Sequence, residues 1–212
     1  MVLDQSVVNS KLYKAFKKLD FDISNPRKTV NTLNKYFKKS GVIFDTISSD
    51  LMKSNDLIIY GYYCPDKLDD KITIILQYNS NTNLQYDETI IFDISVIIQH
   101  ELVHEGQEQK RNSWHFRIAP PLPSPIDETG ALEMKAYLSH PDEIDAYAFQ
   151  ALLEISYKCL GNHISLNFVK FMLDSSESWG LYQAANVDDH VKRRFLRKLC
   201  KWYYQGIHWQ ES

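Results

Sequence analysis

The sequence has few cysteines, and they form none of the patterns typical of metal or redox motifs. Only three of the 212 residues are cysteines, and these lie far apart at Cys64, Cys159 and Cys200. No C-x-x-C pair occurs, which argues against a zinc ribbon or a thiol redox motif. Scattered cysteines in odd number indicate free thiols in a reducing compartment, so we expect an intracellular, cytoplasmic protein.

Long apolar runs and a strong charge of one sign are also missing. No apolar stretch approaches the roughly 18 residues of a membrane span. The N-terminus lacks a basic start followed by an apolar segment, so no secretory signal is predicted. A net charge of −3 argues against general nucleic-acid binding. The composition, 44% hydrophobic and 24% charged, is typical of a soluble globular protein.

Two helices are predicted before any strand. The first, over residues 5–20, has apolar side chains at helical spacing: Val8, Leu12, Phe16 and Leu19. In the second, Asn25 suits the cap, Pro26 the first helical position and Gly41 the stop.

The middle of the chain combines strand and helix patterns. Residues 56–64 and 71–79 are rich in β-branched and aromatic residues, which predicts two neighbouring antiparallel strands. Helices are expected over 89–111 and 139–161, with an irregular proline-rich loop between them.

Two more helices are expected in the last third of the chain. The predicted fold is therefore α+β, with helices packed on a short, mainly antiparallel sheet and extra helices at both ends. We expect a single domain over 1–212, with an N-terminal helical segment (1–50), a core (51–160) and a C-terminal helical segment (161–212).

The strongest chemical signal is H-E-x-x-H, formed by His100, Glu101 and His104. On a helix, residues i and i+4 share a face, so the two imidazoles would point to one place, as a zinc site requires. Glu101 lies about 100° round the helix. It could reach a metal-bound water and act as general base. Gln107 and Arg111 fall on the same face as the histidines, and spacing assigns them no role.

A catalytic zinc site needs a third protein ligand. The downstream candidates are His115, Glu128, Glu133, His140, Asp142, Glu143, Asp145 and His163. Ser139 and Asp142 fit a capping box, which gives Asp142 a structural role. The helix that follows has its apolar face at Ile144, Ala148, Ala151, Leu152 and Ile155. Glu143 and Asp145 flank this face. We choose Glu143 as ligand and Asp145 as the partner that orients a histidine, and the reverse assignment stays open.

H-E-x-x-H followed some 40 residues later by "EIDAYAFQALL" resembles zincin metallopeptidases with a glutamate ligand. The resemblance covers about residues 70–155. It is closest to small peptidases of the ImmA/IrrE kind and to short metallopeptidase-like proteins of tailed bacteriophages. It implies a zincin-like domain, Zn²⁺, Glu101 as base and hydrolysis of a protein or peptide substrate. Tyr147 and His115 are candidates for stabilising the transition state. A phage protein of this kind would act in the host cytoplasm or with the virion.

In such folds the strand before the active helix is a sheet edge that pairs with extended substrate. Residues 71–79 suit that position, and they suit an ordinary core strand equally well.

A basic helix near the C-terminus offers a different function. The segment Lys192–Lys201 has basic residues on one side and apolar residues on the other, as in an amphipathic surface helix. The same face could dock an acidic partner. The alternative to a peptidase is therefore an inactive zincin-fold binding or structural protein that acts through its basic helices.

Overall fold

The predicted α+β class is confirmed, with helices packed on a short sheet. The computed structural model describes residues 5–49, 57–64, 71–79, 86–87, 89–111, 128–159 and 164–205. The chain forms two compact units, residues 1–116 and residues 117–212. Within the described ranges, no helix combines the length and hydropathy that crossing a bilayer requires.

The first unit consists of helices around a three-stranded sheet. Its described elements are α1 Gln5–Lys18, α2 Pro26–Phe37, β1 Val42–Ser48, β2 Leu57–Cys64, β3 Lys71–Tyr78 and α3 Thr89–Arg111. The strand order is β1-β3-β2. β2 and β3 are antiparallel, as predicted, while β1 pairs with β3 in parallel and makes the sheet mixed. No sequence pattern predicted β1.

β3 is the central strand, so the interpretation of residues 71–79 as a sheet edge is wrong. Both of its edges are hydrogen-bonded to neighbouring strands. Its side chains from Ile72 to Leu76 are all buried, including those on alternate faces. A strand covered on both faces reads as a continuous apolar run, which is why this segment has the strongest strand signal in the chain.

The first two helices form where their sequence signals place them. The four apolar residues predicted to face the core are all buried, Val8, Leu12 and Phe16 within α1 and Leu19 directly after it. Asn25 caps α2, because its Oδ1 accepts a hydrogen bond from Lys28 N at 3.0 Å, and Pro26 occupies the first turn. α2 ends at Phe37 rather than at Gly41. Gly41 has φ 68°, a left-handed conformation that turns the chain directly into β1.

The second unit is helical in its described residues. Its elements are α4 Glu128–Leu138, α5 Pro141–Lys158, α6 Leu166–Phe171, a 3-10 turn Leu173–Ser175, α7 Glu177–Ala184 and α8 Asp189–Tyr204. α5 is the central helix and packs against α4, α7 and α8. The five apolar residues predicted to form its buried face are all buried. α4 and α7 were not predicted as separate helices.

The capping box predicted at Ser139 is wrong, because the N-cap of α5 is His140. His140 Nδ1 accepts a hydrogen bond from Asp142 N at 3.3 Å. Ser139 Oγ instead donates to Lys135 O at 2.6 Å, at the end of α4. The physical reason is Pro141, which favours an extended conformation in the residue before it and so makes that residue the cap.

α8 is the amphipathic helix that the sequence predicts. Val191, Phe195 and Leu199 are buried on one side. Between Arg193 and Lys201 the exposed side chains are all basic: Arg193, Arg194, Arg197 and Lys201.

An ion pair links α4 to the start of α8. Lys135 Nζ lies 2.7 Å from Asp188 Oδ1. The hydrogen bond and the charge of Lys135 lower the pKa of Asp188 below its ordinary value. Because both side chains are solvated, this pair contributes little to stability.

Candidate metal centre

His100 and His104 project from the same face of α3. Their ring centroids are 4.9 Å apart, and their Nε2 atoms are 3.1 Å apart. His100 is only 6% exposed, while His104 is half-buried. As the i, i+4 spacing predicts, one helix brings two imidazole nitrogens to a single point.

The hydrogen bond of His104 indicates which of its nitrogens is available as a ligand. His104 Nδ1 lies 3.0 Å from Gln107 Oε1. An amide oxygen only accepts, so Nδ1 donates and Nε2 presents its lone pair. Histidine ligands of metals are commonly oriented in this way. Spacing alone left Gln107 without a role, and its i, i+3 separation from His104 is the signal that indicates one.

Glu101 is buried beside the imidazole pair. Its side chain is 6% exposed, and it leaves the helix about 100° from His100. The neighbouring turn of α3 is apolar, with Ile98 fully buried. Glu101 leaves the helix in a different direction from the two imidazoles, and it is not part of the group of possible ligands formed by His100, His104 and Glu143.

Glu143 is the third residue of the candidate group. It lies in the first turn of α5, where the helix dipole favours a negative charge, and is 4% exposed. The ligand atoms of His100, His104 and Glu143 all lie within 4.8 Å of one another. Together these residues form a His–His–Glu group that could hold a metal ion.

The donor set and the spacing of its two histidines are compatible with a zinc ion. Two histidines and a glutamate are one of the ligand sets of catalytic zinc, in which three protein ligands leave a position for water. Tetrahedral bonds of about 2.0–2.1 Å imply ligand atoms about 3.3 Å apart. The 3.1 Å between the two Nε2 atoms is close to that value.

Asp145 has structural partners on α8. One carboxylate oxygen lies 2.8 Å from Lys198 Nζ, and the other accepts a hydrogen bond from Trp202 Nε1 at 3.0 Å. Among the described residues, the group of possible ligands contains Glu143 and not Asp145. These two contacts of Asp145 hold α5 against α8.

Of the remaining candidates, those that the structure describes do not belong to the group of possible ligands. His140 caps α5, and its Nδ1 lies 3.7 Å from Asp142 Oδ2. Glu133 is exposed on α4. His115, His163 and the proline-rich loop lie outside the described residues, as do the side chains of Arg111 and Glu128.

Tyr147 belongs to an aromatic cluster in the second unit. Its ring is 6.0 Å from that of Tyr182 and 6.4 Å from that of Tyr137. Tyr182 is fully buried, and its hydroxyl has no hydrogen-bond partner among the described residues. Burial raises the pKa of Tyr182 far above its ordinary value, and the nearby Tyr147 and Glu143 add to the shift. The Tyr182 hydroxyl therefore stays protonated at any physiological pH.

No known family or structure suggests a function for this chain, so its function is argued from the residues of the site. The chain matches no protein-family model, no curated protein and no solved structure. The group of His100, His104 and Glu143 is compatible with a zincin, and its geometry is that of a possible metal site.

Proposed function

We propose that this protein is a zinc-dependent peptidase. The observation that carries the proposal is the His–His–Glu group with the buried Glu101 carboxylate next to it in sequence. A purely structural zinc site takes four protein ligands and needs no adjacent base. Three ligands and a neighbouring carboxylate together favour hydrolysis.

Each residue has a separate task in the proposed reaction. His100, His104 and Glu143 would hold the ion, and Gln107 keeps His104 in the tautomer that exposes Nε2. Zinc bound there would lower the pKa of a water and polarise the scissile carbonyl. The Glu101 carboxylate would accept the proton of that water and transfer it to the leaving amine.

The substrate that we propose is a protein or peptide in extended conformation, bound at β2. Within the described sheet, β2 pairs with β3 along one edge only. An extended chain could add to its other edge through backbone hydrogen bonds. Alternate side chains, Ile58 and Tyr62, are 49% and 41% exposed and could contact such a chain.

The direct test is Glu101→Gln, assayed with a fluorescence-quenched peptide library on the zinc-loaded protein. Loss of the base is expected to reduce cleavage about 10²- to 10⁴-fold while zinc content stays unchanged. Glu105→Gln is the matched control, since it makes the same change one turn along α3. Wild-type cleavage by the Glu101→Gln protein would contradict the proposed role.

The competing function, a non-catalytic binding protein, is favoured by the basic face of α8. Arg193, Arg194, Arg197 and Lys201 are exposed together and suit an acidic partner. Wild-type protein that holds zinc but cleaves no peptide of the library would support this function instead. Charge reversal at Arg194 and Arg197 would then weaken binding of an acidic peptide such as poly-glutamate.

A further inference from the structure

On the face of β2 that packs against the core, one position is a glycine and the three others have large side chains. Side chains alternate between faces along a strand. Leu57, Ile59 and Tyr63 of β2 pack against the core of the first unit, whereas Ile58 and Tyr62 are exposed. Gly61 belongs to the inward row and pairs with the buried Ile74 of β3.

No side chain fits at position 61, because α3 lies directly over it. A Cβ built on Gly61 would lie 2.7 Å from Ile97 Cγ2 and 3.0 Å from Ile74 Cδ1. It would also lie 3.2 Å from Cγ of Glu101. Real Cβ atoms essentially never show contacts under 3.0 Å, so an added methyl must displace something.

Two other glycines in the described part of the chain do not show this closeness. A Cβ built on Gly106, also in α3, meets nothing within 4 Å, and the same holds for Gly180 in α7. Alanine is also no worse than glycine for an ordinary strand. The constraint at position 61 therefore comes from the approach of α3 and not from the strand itself.

We infer that Gly61 is a positioning residue for Glu101. Ile97 and Glu101 are four residues apart and share the face of α3 that meets β2. Without a side chain at position 61, this face lies against the strand backbone, and the stem of Glu101 is held there. The inference rests on the proposed role of Glu101 as general base. Gly61 acts by fixing the distance of that carboxylate from the imidazole pair.

The test is Gly61→Ala, with Gly106→Ala as the matched control on α3. Displacement of a catalytic group by about 1 Å can slow a reaction about 100-fold. We expect kcat of Gly61→Ala to fall about 10- to 100-fold on the best-cleaved library peptide. KM and zinc content should stay within twofold of wild type. A role in packing alone would lower the unfolding temperature and leave kcat unchanged, which would overturn the inference.

Crystal structures of the wild type and of Gly61→Ala give a readout that does not depend on activity. The Glu101 carboxylate should move relative to His100, and an unmoved carboxylate would contradict the inference. If the wild type cleaves no peptide, the proposed peptidase function fails, while this displacement still decides the role of Gly61.

A second variant covers the case in which Gly61→Ala does not fold. Gly61→Ala/Ile97→Ala removes the 2.7 Å contact and keeps the methyl against Glu101. It is compared with Ile97→Ala alone and should have the lower kcat. Equal kcat values in the two proteins would overturn the inference.

Discussion

At the scale of single residues, His104 shows how a neighbour can orient a candidate metal ligand. Gln107 Oε1 accepts a hydrogen bond from Nδ1, and the other ring nitrogen, Nε2, is the one that lies near His100. Hydrogen bonds that orient a metal-ligating histidine commonly change the affinity for the metal about 10- to 100-fold. The arrangement depends on four consecutive residues of one helix, which explains how a short segment can specify it.

Tyr182 gives the clearest prediction for stability at the residue scale. Its buried hydroxyl has no partner among the described residues, so Tyr182→Phe removes a desolvated group without opening a cavity. We expect a gain of about 1 kcal/mol. For a chain of this size, the melting temperature should rise by roughly 2–4 °C.

Thermal unfolding measures this effect, with Tyr204→Phe as the exposed control. Tyr204 is 74% exposed, so its change should be within about 0.5 kcal/mol of zero. A lower melting temperature for Tyr182→Phe would show that the hydroxyl has a stabilising partner after all.

The choice between Glu143 and Asp145 as third ligand depends on contacts that the local sequence does not contain. Helical phase places both carboxylates at the border of the buried face of α5. The partner of Asp145 that decides its role is Trp202, which is 57 residues away in the sequence. No local pattern contains that contact, so the sequence narrows the third ligand to two residues and cannot decide between them.

At the scale of elements, α7 is fixed to α5 through one buried carboxylate. Glu154 accepts hydrogen bonds from Ser176 Oγ at 2.8 Å, Ser178 Oγ at 2.6 Å and Ser178 N at 3.1 Å. Gln150 Nε2 donates a fourth at 3.0 Å. These donors belong mainly to the first turn of α7, which carries a positive partial charge. The carboxylate therefore acts as the cap of a helix from another part of the chain.

Truncation of this carboxylate is expected to destabilise the protein strongly. Glu154→Ala leaves buried serine hydroxyls without an acceptor, and we expect a loss of about 3 kcal/mol. Urea unfolding measures it, with Glu177→Ala as control, because Glu177 is an exposed acidic residue in the same turn of α7. The control should lose less than about 1 kcal/mol. Equal losses in the two variants would contradict the capping role.

The helices and strands that could be predicted are those whose sequence pattern lies within the element itself. α3 and the two strands 57–64 and 71–78 match the sequence analysis because each has a long apolar pattern. β1 was missed, since its buried residues alternate over only part of its length and its pairing joins Val42 to Ile72. The central place of β3 follows from that same long-range pairing. α4 and α7 are short and begin without strong start signals.

At the scale of the whole molecule, the residues of the proposed site lie on two helices with different surroundings. α3 carries the imidazole pair and Glu101, the proposed base, over the sheet of the first unit, where Gly61 permits close packing. α5 carries Glu143 in a helical core, with α7 and α8 packed around it. Each proposed ligand is thus on a helix that is held by buried neighbours within its own unit.

The central claim is that His100, His104 and Glu143 bind one zinc ion and leave a position for water. Diffraction at the zinc absorption edge, from crystals of the zinc-loaded protein, tests it most directly. We predict one anomalous peak, about 2.0–2.1 Å from Nε2 of each histidine and about 2.0–2.2 Å from the Glu143 carboxylate. Glu101 should lie outside this shell, and a water should take the fourth position. Absence of the peak, or a fourth protein side chain in the place of the water, would contradict the account.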